Sequence, residues 1–353
     1  MPCTIIVGGQ YGSEGKGKVT AILARSSDVP WVVRCGGPNS GHTVTFKNQN
    51  IVLRQVPSCP DHPAAIFLIA AGCVVDEQLL IKELDQIGIP KQRIIVDPRA
   101  VLLSEKDKIN EQNSLGYISS TFSGTGAAII RRMSRQKDVL LAKDSKLLQT
   151  RCTIQNVSSL LHDSLEKGCD VLVEGTQGFG LSLLHSQYYP YVTSRDTTAS
   201  GFAMEVGLSP RHIDGIVMVI RTFPIRVGGE SGPLLNEVTW KDIQMISGAP
   251  KEMSELTSVT KKIRRVAEFD IEAVKIACRY NLPTSLAIMG LDRLDNANQG
   301  VLEWEKVTIQ AQRFVAFVEN QTGVPVQFVG TGFDTMDAIS LKIDSRNKEI
   351  MYG

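Results

Sequence analysis

The sequence predicts an α/β fold with a doubly wound, mostly parallel central sheet. Eight short runs rich in apolar, β-forming residues recur along the 353 residues, and stretches with helical spacing separate several of them. The runs are apolar throughout rather than alternating, which is typical of strands covered by helices on both faces. A glycine-rich loop directly follows the first run, giving a strand, a P-loop-like phosphate loop and a helix.

The predicted strands are residues 4–8, 31–34, 65–69, 93–96, 170–174, 216–220, 285–289 and 326–329. The predicted helices that bridge successive strands are residues 74–87, 271–279 and 305–320. The sequence contains no internal repeat, low-complexity tract or clear interdomain linker, so we expect a single domain over residues 1–353. Residues 227–236 and about 247–265 are predicted to be long functional loops that become ordered around ligands.

Composition excludes several classes of function. A formal net charge of +1 disfavours a general nucleic-acid-binding protein, which normally carries a basic excess. No apolar run approaches the roughly 20 residues of a membrane span, and no secretion signal opens the chain. The seven cysteines are scattered and lack C-x-x-C spacing, which favours reduced thiols. We therefore expect a cytoplasmic protein that binds neither nucleic acid nor membranes.

The first glycine-rich loop, residues 8–18, has the sequence GGQYGSEGKGK. Gly12, Gly15 and Gly17 let the backbone approach a phosphate, and the helix N-terminus that follows favours an anion. Lys16 or Lys18 can add a positive charge at the terminal phosphate. Lys18 is followed by valine, so the hydroxyl that usually binds Mg²⁺ in a P-loop is missing. A structural turn with solvent-facing lysines is the alternative interpretation.

The second glycine-rich loop, residues 35–43, has the sequence CGGPNSGHT and also follows a predicted strand. His42 lies in it between a glycine and a threonine. Most isolated histidines are surface or core residues. A histidine in a glycine-rich loop after a strand is also a fair candidate for an acid or base.

Further motifs occur in the order typical of one family. They are residues 174–178 (EGTQG), 189–194 (YPYVTS) with 197–198 (TT), 260–265 (TKKIRR) and 291–295 (LDRLD). Together with the two loops, they resemble the adenylosuccinate synthetase family across most of the chain. The first two match its monophosphate-binding segment, the third its aspartate-binding loop and the fourth the strand end that reads the donor base.

The resemblance implies a two-step ligase reaction. A nucleoside triphosphate phosphorylates the 6-oxygen of a purine monophosphate, and the α-amine of L-aspartate then displaces phosphate. Mg²⁺ and Lys16 would offset charge on the transferred phosphoryl group. His42 would hydrogen-bond the 6-oxygen and act as the general acid. The predicted catalytic residues are therefore Ser13, Lys16 and His42.

The resemblance also implies the binding residues, in four groups. The residues for the nucleoside triphosphate are Gly12, Glu14, Gly15, Lys16, Gly17, Lys18, Gly41, His42, Thr43, Asp292 and Gly330. Those for the purine monophosphate are Ser13, Asn39, Ser120, Thr121, Gln177, Thr193 and Arg135, the last contributed by the second subunit of a homodimer. Those for aspartate are Thr260, Lys262 and Arg264, and those for the metal are Ser13 and Gly41. The family usually has arginine in place of Lys262, and lysine lacks the planar fork for a bidentate carboxylate contact.

Ser13 departs from the family, which has a catalytic aspartate at this position. A serine hydroxyl cannot take the purine N1 proton near pH 7. It does leave space, and an acceptor, for a 2-amino group such as that of GMP or dGMP. The change resembles the viral N6-succino-2-amino-2′-deoxyadenylate synthase branch, which converts dGMP for 2-aminoadenine DNA synthesis. For a viral protein, the expected location is the host cytoplasm.

The motif that reads the donor base also differs from the family's pattern. Residues 289–292 (MGLD) lack the lysine of the family's guanine-reading motif, and residues 330–333 (GTGF) have glycine and phenylalanine where serine and proline are usual. Asp292 could still accept a hydrogen bond from guanine. We therefore expect ATP or dATP as the donor in preference to GTP.

Three functions remain open from the sequence. The leading hypothesis is a ligase for dGMP and aspartate. The alternatives are an ordinary adenylosuccinate synthetase acting on IMP with Ser13 tolerated, and a non-catalytic nucleotide-binding protein. The group that takes the N1 proton also remains open between solvent, a metal-bound hydroxide, a phosphate oxygen and Glu14, the last only if its side chain turns inward.

Overall fold

A computed structural model describes residues 3–251, 253–257 and 262–341. Its strands are β1 Cys3–Gly8, β2 Trp31–Arg34, β3 His42–Phe46, β4 Gln49–Leu53, β5 Ile66–Ile69, β6 Val74–Val75, β7 Ile94–Val96, β8 Val101–Leu102, β9 Thr153–Ile154, β10 Val171–Glu174, β11 Gly215–Arg221, β12 Ile225–Arg226, β13 Glu237–Val238, β14 Arg265–Ala267, β15 Ser285–Met289, β16 Val326–Gly330 and β17 Ala338–Ser340. Its α-helices are α1 Lys16–Ala24, α2 Glu77–Ile87, α3 Glu105–Ser114, α4 Thr125–Met133, α5 Lys146–Arg151, α6 Val157–Glu166, α7 Ala199–Val206, α8 Trp240–Ser247, α9 Ile271–Asn281, α10 Leu291–Leu294 and α11 Ile309–Thr322.

The predicted α/β fold is confirmed. In the described part of the chain, ten strands form one sheet in the order β17-β16-β15-β11-β1-β10-β2-β5-β7-β9. Every neighbouring pair is parallel except β16 and β17. All eight predicted strands are present in this sheet within one or two residues of the expected bounds. The central strands are buried along nearly their whole length, as the continuous apolar runs require.

The predicted helices are present, but two begin later than expected. Val74 and Val75, whose spacing predicts a helix, instead pair with Val101 and Leu102 as a short parallel strand. The helix begins after Asp76, whose side chain accepts a hydrogen bond from the amide of Leu79 as an N-cap. The helix predicted over 305–320 begins at Ile309 and ends at Thr322.

The parallel arrangement determines where the loops meet. Because β1, β2, β10, β11 and β15 run in one direction, their carboxyl ends lie at one edge of the sheet. Both glycine-rich loops leave this edge, as do the segments that follow Glu174, Arg221 and Met289. Among the described residues, no helix is long and apolar enough to cross a bilayer.

Candidate active site

A cavity of about 920 Å³ opens at this edge of the sheet. Its wall contains Ser13 of the first loop, His42 of the second and Gln177 after β10. Six of the seven residues predicted to bind the purine monophosphate line it: Ser13, Asn39, Ser120, Thr121, Gln177 and Thr193. The fold therefore brings together, from five separate segments, the residues that the sequence motifs single out.

The phosphate loop is held from inside by Glu14. Its Oε1 accepts hydrogen bonds from the amides of Gly12 (2.7 Å) and Gln10 (3.2 Å), and its Oε2 pairs with Nζ of Lys16 at 2.6 Å. Glu14 and Lys16 are both almost completely buried. The Glu14 side chain thus points into the loop and away from the cavity, so it is not placed to take the N1 proton of a purine bound there. Lys16, the predicted partner of the terminal phosphate, is ion-paired in this structure.

The phosphate loop also packs tightly on the segment that carries Gln177. A Cβ added to Gly178 would lie 2.2 Å from Oε1 of Glu14 and 2.6 Å from the amide nitrogen of Gly12. Only glycine fits such an approach. Gln177 itself has a left-handed backbone with φ of 61°, as does Ser13 with φ of 57°. The two loops therefore fix each other's backbone at the cavity.

Buried charges surround His42. Its Nδ1 contacts both Oε1 of Glu174, at the end of β10, and Nη1 of Arg34, at the end of β2. Arg34 and Glu174 form an ion pair of 2.6 Å, and both side chains are buried. These contacts occupy Nδ1, which leaves Nε2 for a ligand in the cavity.

This environment shifts two pKa values. Burial, and then the positive charge of Arg34, lower the pKa of His42 to about 4 against the opposing attraction of Glu174. Burial opposes ionisation of Glu174, but Arg34 and His42 outweigh it and lower the pKa of that carboxyl to about 2. Near pH 7, His42 is therefore neutral beside an ionised Glu174. An anionic phosphate brought close to the ring would raise the pKa of His42.

The residues predicted at the donor nucleotide lie outside the cavity wall, apart from Gly12, Gly41 and His42. Nζ of Lys18 donates to the carbonyls of Asp337 (2.7 Å) and Gly332 (3.1 Å), and burial lowers its pKa to about 8. Asp292 is largely buried, and burial raises its pKa. The amide of Gly290 donates to the carbonyl of Gly330 at 3.1 Å, so the two segments predicted to hold the donor base are neighbours.

The remaining predicted residues fall in different places. Arg264 lines the cavity, whereas Lys262 is exposed outside its wall. Thr260 lies outside the described residues. Arg135, two residues after α4, is exposed and does not line the cavity of its own chain. The roles predicted for all four stay predictions.

Four charged residues near the site have no individual role predicted from the sequence, although Glu174 belongs to the predicted monophosphate-binding motif. Arg34, Glu174 and Arg221 are each the last residue of a strand, and Glu255 precedes the predicted aspartate loop. Each takes part in a buried or largely buried ion pair. A charged residue ending an otherwise apolar run was the available signal, because such a residue lies at the sheet edge where ligands bind.

The parallel sheet, the phosphate loop and the histidine-containing cavity define a nucleotide-using α/β enzyme. The profile of the family described as adenylosuccinate synthetase matches residues 5–151 and 141–299. The adenylosuccinate synthetase of Methanocaldococcus jannaschii is 37% identical over 349 residues, 97% of each chain. That of Pyrococcus horikoshii is 38% identical over 338 residues, 94% of this chain and 96% of the relative. The chain belongs to the adenylosuccinate synthetase family and is a C–N bond-forming ligase.

Two solved structures share the fold. Fully ligated adenylosuccinate synthetase from Plasmodium falciparum superimposes with a TM-score of 0.84 at 20% identity, covering 96% of this chain and 99% of that one. The second is the succinoaminodeoxyadenylate synthetase (PurZ) of cyanophage S-2L, bound to dGMP and to dATP as an energy donor. It superimposes with a TM-score of 0.78 at 25% identity, covering 99% of this chain and 98% of that one. The archaeal relatives are thus more similar in sequence than the phage enzyme.

Proposed function

We propose that this ligase joins L-aspartate to C6 of dGMP and hydrolyses a nucleoside triphosphate, giving N6-succino-2-amino-2′-deoxyadenylate. The reaction type follows from the family, and the choice of purine rests on Ser13. This side chain is exposed in the cavity wall, in the same cavity as Asn39, Gln177 and Thr193. A hydroxyl there leaves room beside purine N1 for a 2-amino group and offers it an acceptor, whereas a carboxylate would crowd it.

In the proposed reaction, the purine 6-oxygen attacks the donor's γ-phosphorus, the bond to the bridging oxygen breaks and nucleoside diphosphate leaves. The N1 proton passes to solvent or to a phosphate oxygen. The amine of aspartate then attacks C6, the C–O bond breaks, and phosphate leaves as the amine loses a proton. Nε2 of His42 is available to the 6-oxygen, and the arriving phosphate would raise the pKa of the ring so that it can carry the proton of a general acid. Glu174 would stabilise the charged ring.

The residues implied for Mg²⁺ fit a site completed by substrates. The Ser13 hydroxyl and the Gly41 carbonyl are hard oxygen donors that line the cavity. Among the described residues, no group of three or more His, Cys, Asp or Glu side chains could hold a metal. Mg²⁺ usually keeps waters and binds substrate phosphates, so two protein oxygens suit it. It would neutralise charge on the phosphates and let Lys16 and His42 act on the transferred group.

The ordinary reaction on IMP is the second candidate, and the comparisons favour it. The relatives named adenylosuccinate synthetase are 37–38% identical to this chain, against 25% for the phage enzyme bound to dGMP. The dGMP proposal therefore depends on the side chain at position 13 and not on overall similarity.

Four further features complete the proposal. ATP or dATP is the donor. The missing guanine-reading motif around Asp292 supports this choice, as does the dATP in the phage enzyme's structure.

The active form is a homodimer in which the exposed Arg135 reaches the partner's monophosphate. The chain is one domain, which the main buried apolar cluster, extending from Cys3 to Ile339, supports. Its location is the cytoplasm, of the host if the protein is viral.

Phosphate release tests the choice of purine. We expect aspartate-dependent release with ATP to be fastest with dGMP in a panel of dGMP, GMP, dIMP and IMP. Fastest release with IMP would refute the dGMP proposal in favour of the ordinary synthetase. No release with any of the four would favour the non-catalytic nucleotide-binding alternative.

A further inference from the structure

Arg221, the last residue of β11, connects two loops at the active site. Its Nη1 donates to the carbonyl oxygen of Ser13 at 3.2 Å. The same guanidinium binds Glu255 through two contacts, Nη2 to Oε1 at 2.6 Å and Nη1 to Oε2 at 3.1 Å. Arg221 is buried, so the paired geometry is protected from water.

A second residue fixes the backbone of Arg221. The side chain of Gln10 donates to the carbonyl of Arg221 at 3.1 Å and accepts from its amide at 3.0 Å. Gln10 is itself part of the segment that leads into the phosphate loop. The end of β11 and the phosphate loop are thus joined both through the backbone and through the Arg221 side chain.

Glu255 belongs to the segment that carries the predicted aspartate-binding residues. The amide of Arg264 donates to the carbonyl of Glu255 at 2.8 Å, and the amide of Thr257 donates to the carbonyl of Lys262, also at 2.8 Å. Leu256 and Ile263 form an antiparallel bridge between these pairs. We call the described residues 253–257 and 262–264 the aspartate hairpin. Its Arg264 and Thr257 line the cavity.

The Ser13 backbone needs such an anchor. Its φ of 57° is in the left-handed region, which is unfavourable for a residue with a Cβ and persists only when surrounding contacts hold it. Arg221 supplies one such contact, from behind the cavity wall. Neither Arg221 nor Glu255 lines the cavity, so both act on it through the residues that they hold.

We propose that Arg221 and Glu255 are positioning residues that hold the phosphate loop and the aspartate hairpin in register, so that Ser13 and Arg264 face the same cavity, Ser13 towards the purine and Arg264 towards aspartate. The proposal rests on the proposed function only for its kinetic consequence. The coupling between the two loops is a property of the protein alone.

Hydrogen–deuterium exchange of the full chain tests the coupling without any activity. Glu255→Gln changes only the hairpin side of the contact, yet we expect exchange of the peptide containing Ser13 to become about tenfold faster. The matched control is Glu237→Gln, which weakens another ion pair (Arg265 to Glu237, 2.6 Å) beside the same hairpin without contacting the phosphate loop. Unchanged exchange around Ser13 in Glu255→Gln, or equal acceleration in the control, would overturn the proposal.

Kinetics test the consequence, with whichever monophosphate the wild type turns over fastest. We expect Arg221→Lys and Glu255→Gln to lower kcat about 10- to 100-fold while KM for the monophosphate changes less than about threefold, since small displacements of reacting groups are costly. The double variant should be about as slow as Arg221→Lys alone, because both changes weaken the Arg221–Glu255 contact that they share. Additive losses, or full turnover in the variants, would contradict the positioning role. A wild type inactive on all four monophosphates would refute the proposed function, and the exchange result would then decide the coupling alone.

Discussion

His42 is a neutral imidazole between charges of opposite sign. Arg34 and Glu174 both contact Nδ1, so the ring's orientation is fixed by groups that have no direct access to the cavity. Neither partner could be assigned from the sequence, because Arg34 and Glu174 end two strands whose adjacency in the sheet joins residues 140 apart in the chain. The histidine itself could be predicted, because a glycine-rich loop after a strand places it at the edge where ligands bind.

At residue scale, we expect His42→Asn to lower turnover about 10²- to 10⁴-fold, the usual contribution of a positioned acid or base. Affinity for the monophosphate, measured by calorimetry, should change little. The matched control is His162→Asn, a half-buried histidine on α6 whose ring contacts the carbonyl of Gly207 and which does not line the cavity. Turnover in His42→Asn within about threefold of wild type would remove His42 from the chemistry.

Glu174 gives the protein a specific loss of stability in acid. Its folded pKa of about 2 is below the unfolded value near 4.5, so its contribution is complete above pH 4.5 and is lost as pH falls towards 2. For one group, the free energy of unfolding falls by at most about 1.4 kcal/mol per pH unit. Glu174→Gln should be less stable than wild type at pH 7, by about 3 kcal/mol, because Arg34 loses its buried partner.

Urea unfolding at several pH values between 7 and 3 tests this. We expect the Glu174→Gln variant to lose less stability than wild type below pH 4.5, while the exposed-site control Glu303→Gln follows wild type. Parallel curves for wild type and Glu174→Gln would show that this carboxyl does not drive the acid response.

At the scale of elements, the strands could be predicted well because parallel strands buried on both faces leave continuous apolar runs. Helix starts were less predictable. Val74 and Val75 fit a helical pattern, but Val101 and Leu102 offer them a strand partner about 27 residues away, and Asp76 caps the helix that follows. The direction of the Glu14 side chain could not be predicted from the sequence either, because the hydrogen bonds of the phosphate loop depend on its packing against the segment at Gly178.

That packing makes Gly178 a sensitive position. A methyl group there would overlap Glu14 and the Gly12 amide, so Gly178→Ala should displace the phosphate loop and lower Tm by several degrees. Nucleotide affinity should fall about tenfold or more. Gly116→Ala is the matched control, since its added Cβ would meet nothing nearer than 3.5 Å. Equal Tm and nucleotide binding in the two variants would contradict the tight approach.

At the scale of the whole molecule, one sheet edge gathers the two glycine-rich loops, Gln177 and the aspartate hairpin around a single cavity. The order of motifs in the sequence was enough to predict this gathering and the family. It could not supply the charged contacts behind the cavity wall, since those depend on which strands become neighbours. The chain thus has the family's fold, with its cavity at the sheet edge where the sequence motifs meet.

The most direct test is the ratio of kcat/KM for dGMP to that for IMP, measured by phosphate release in wild type and Ser13→Asp. We expect the wild-type ratio to be well above one and the variant's ratio to fall at least tenfold, because a carboxylate crowds the 2-amino group. A wild-type ratio below one, or the same ratio in both proteins, would contradict the assignment of purine choice to Ser13.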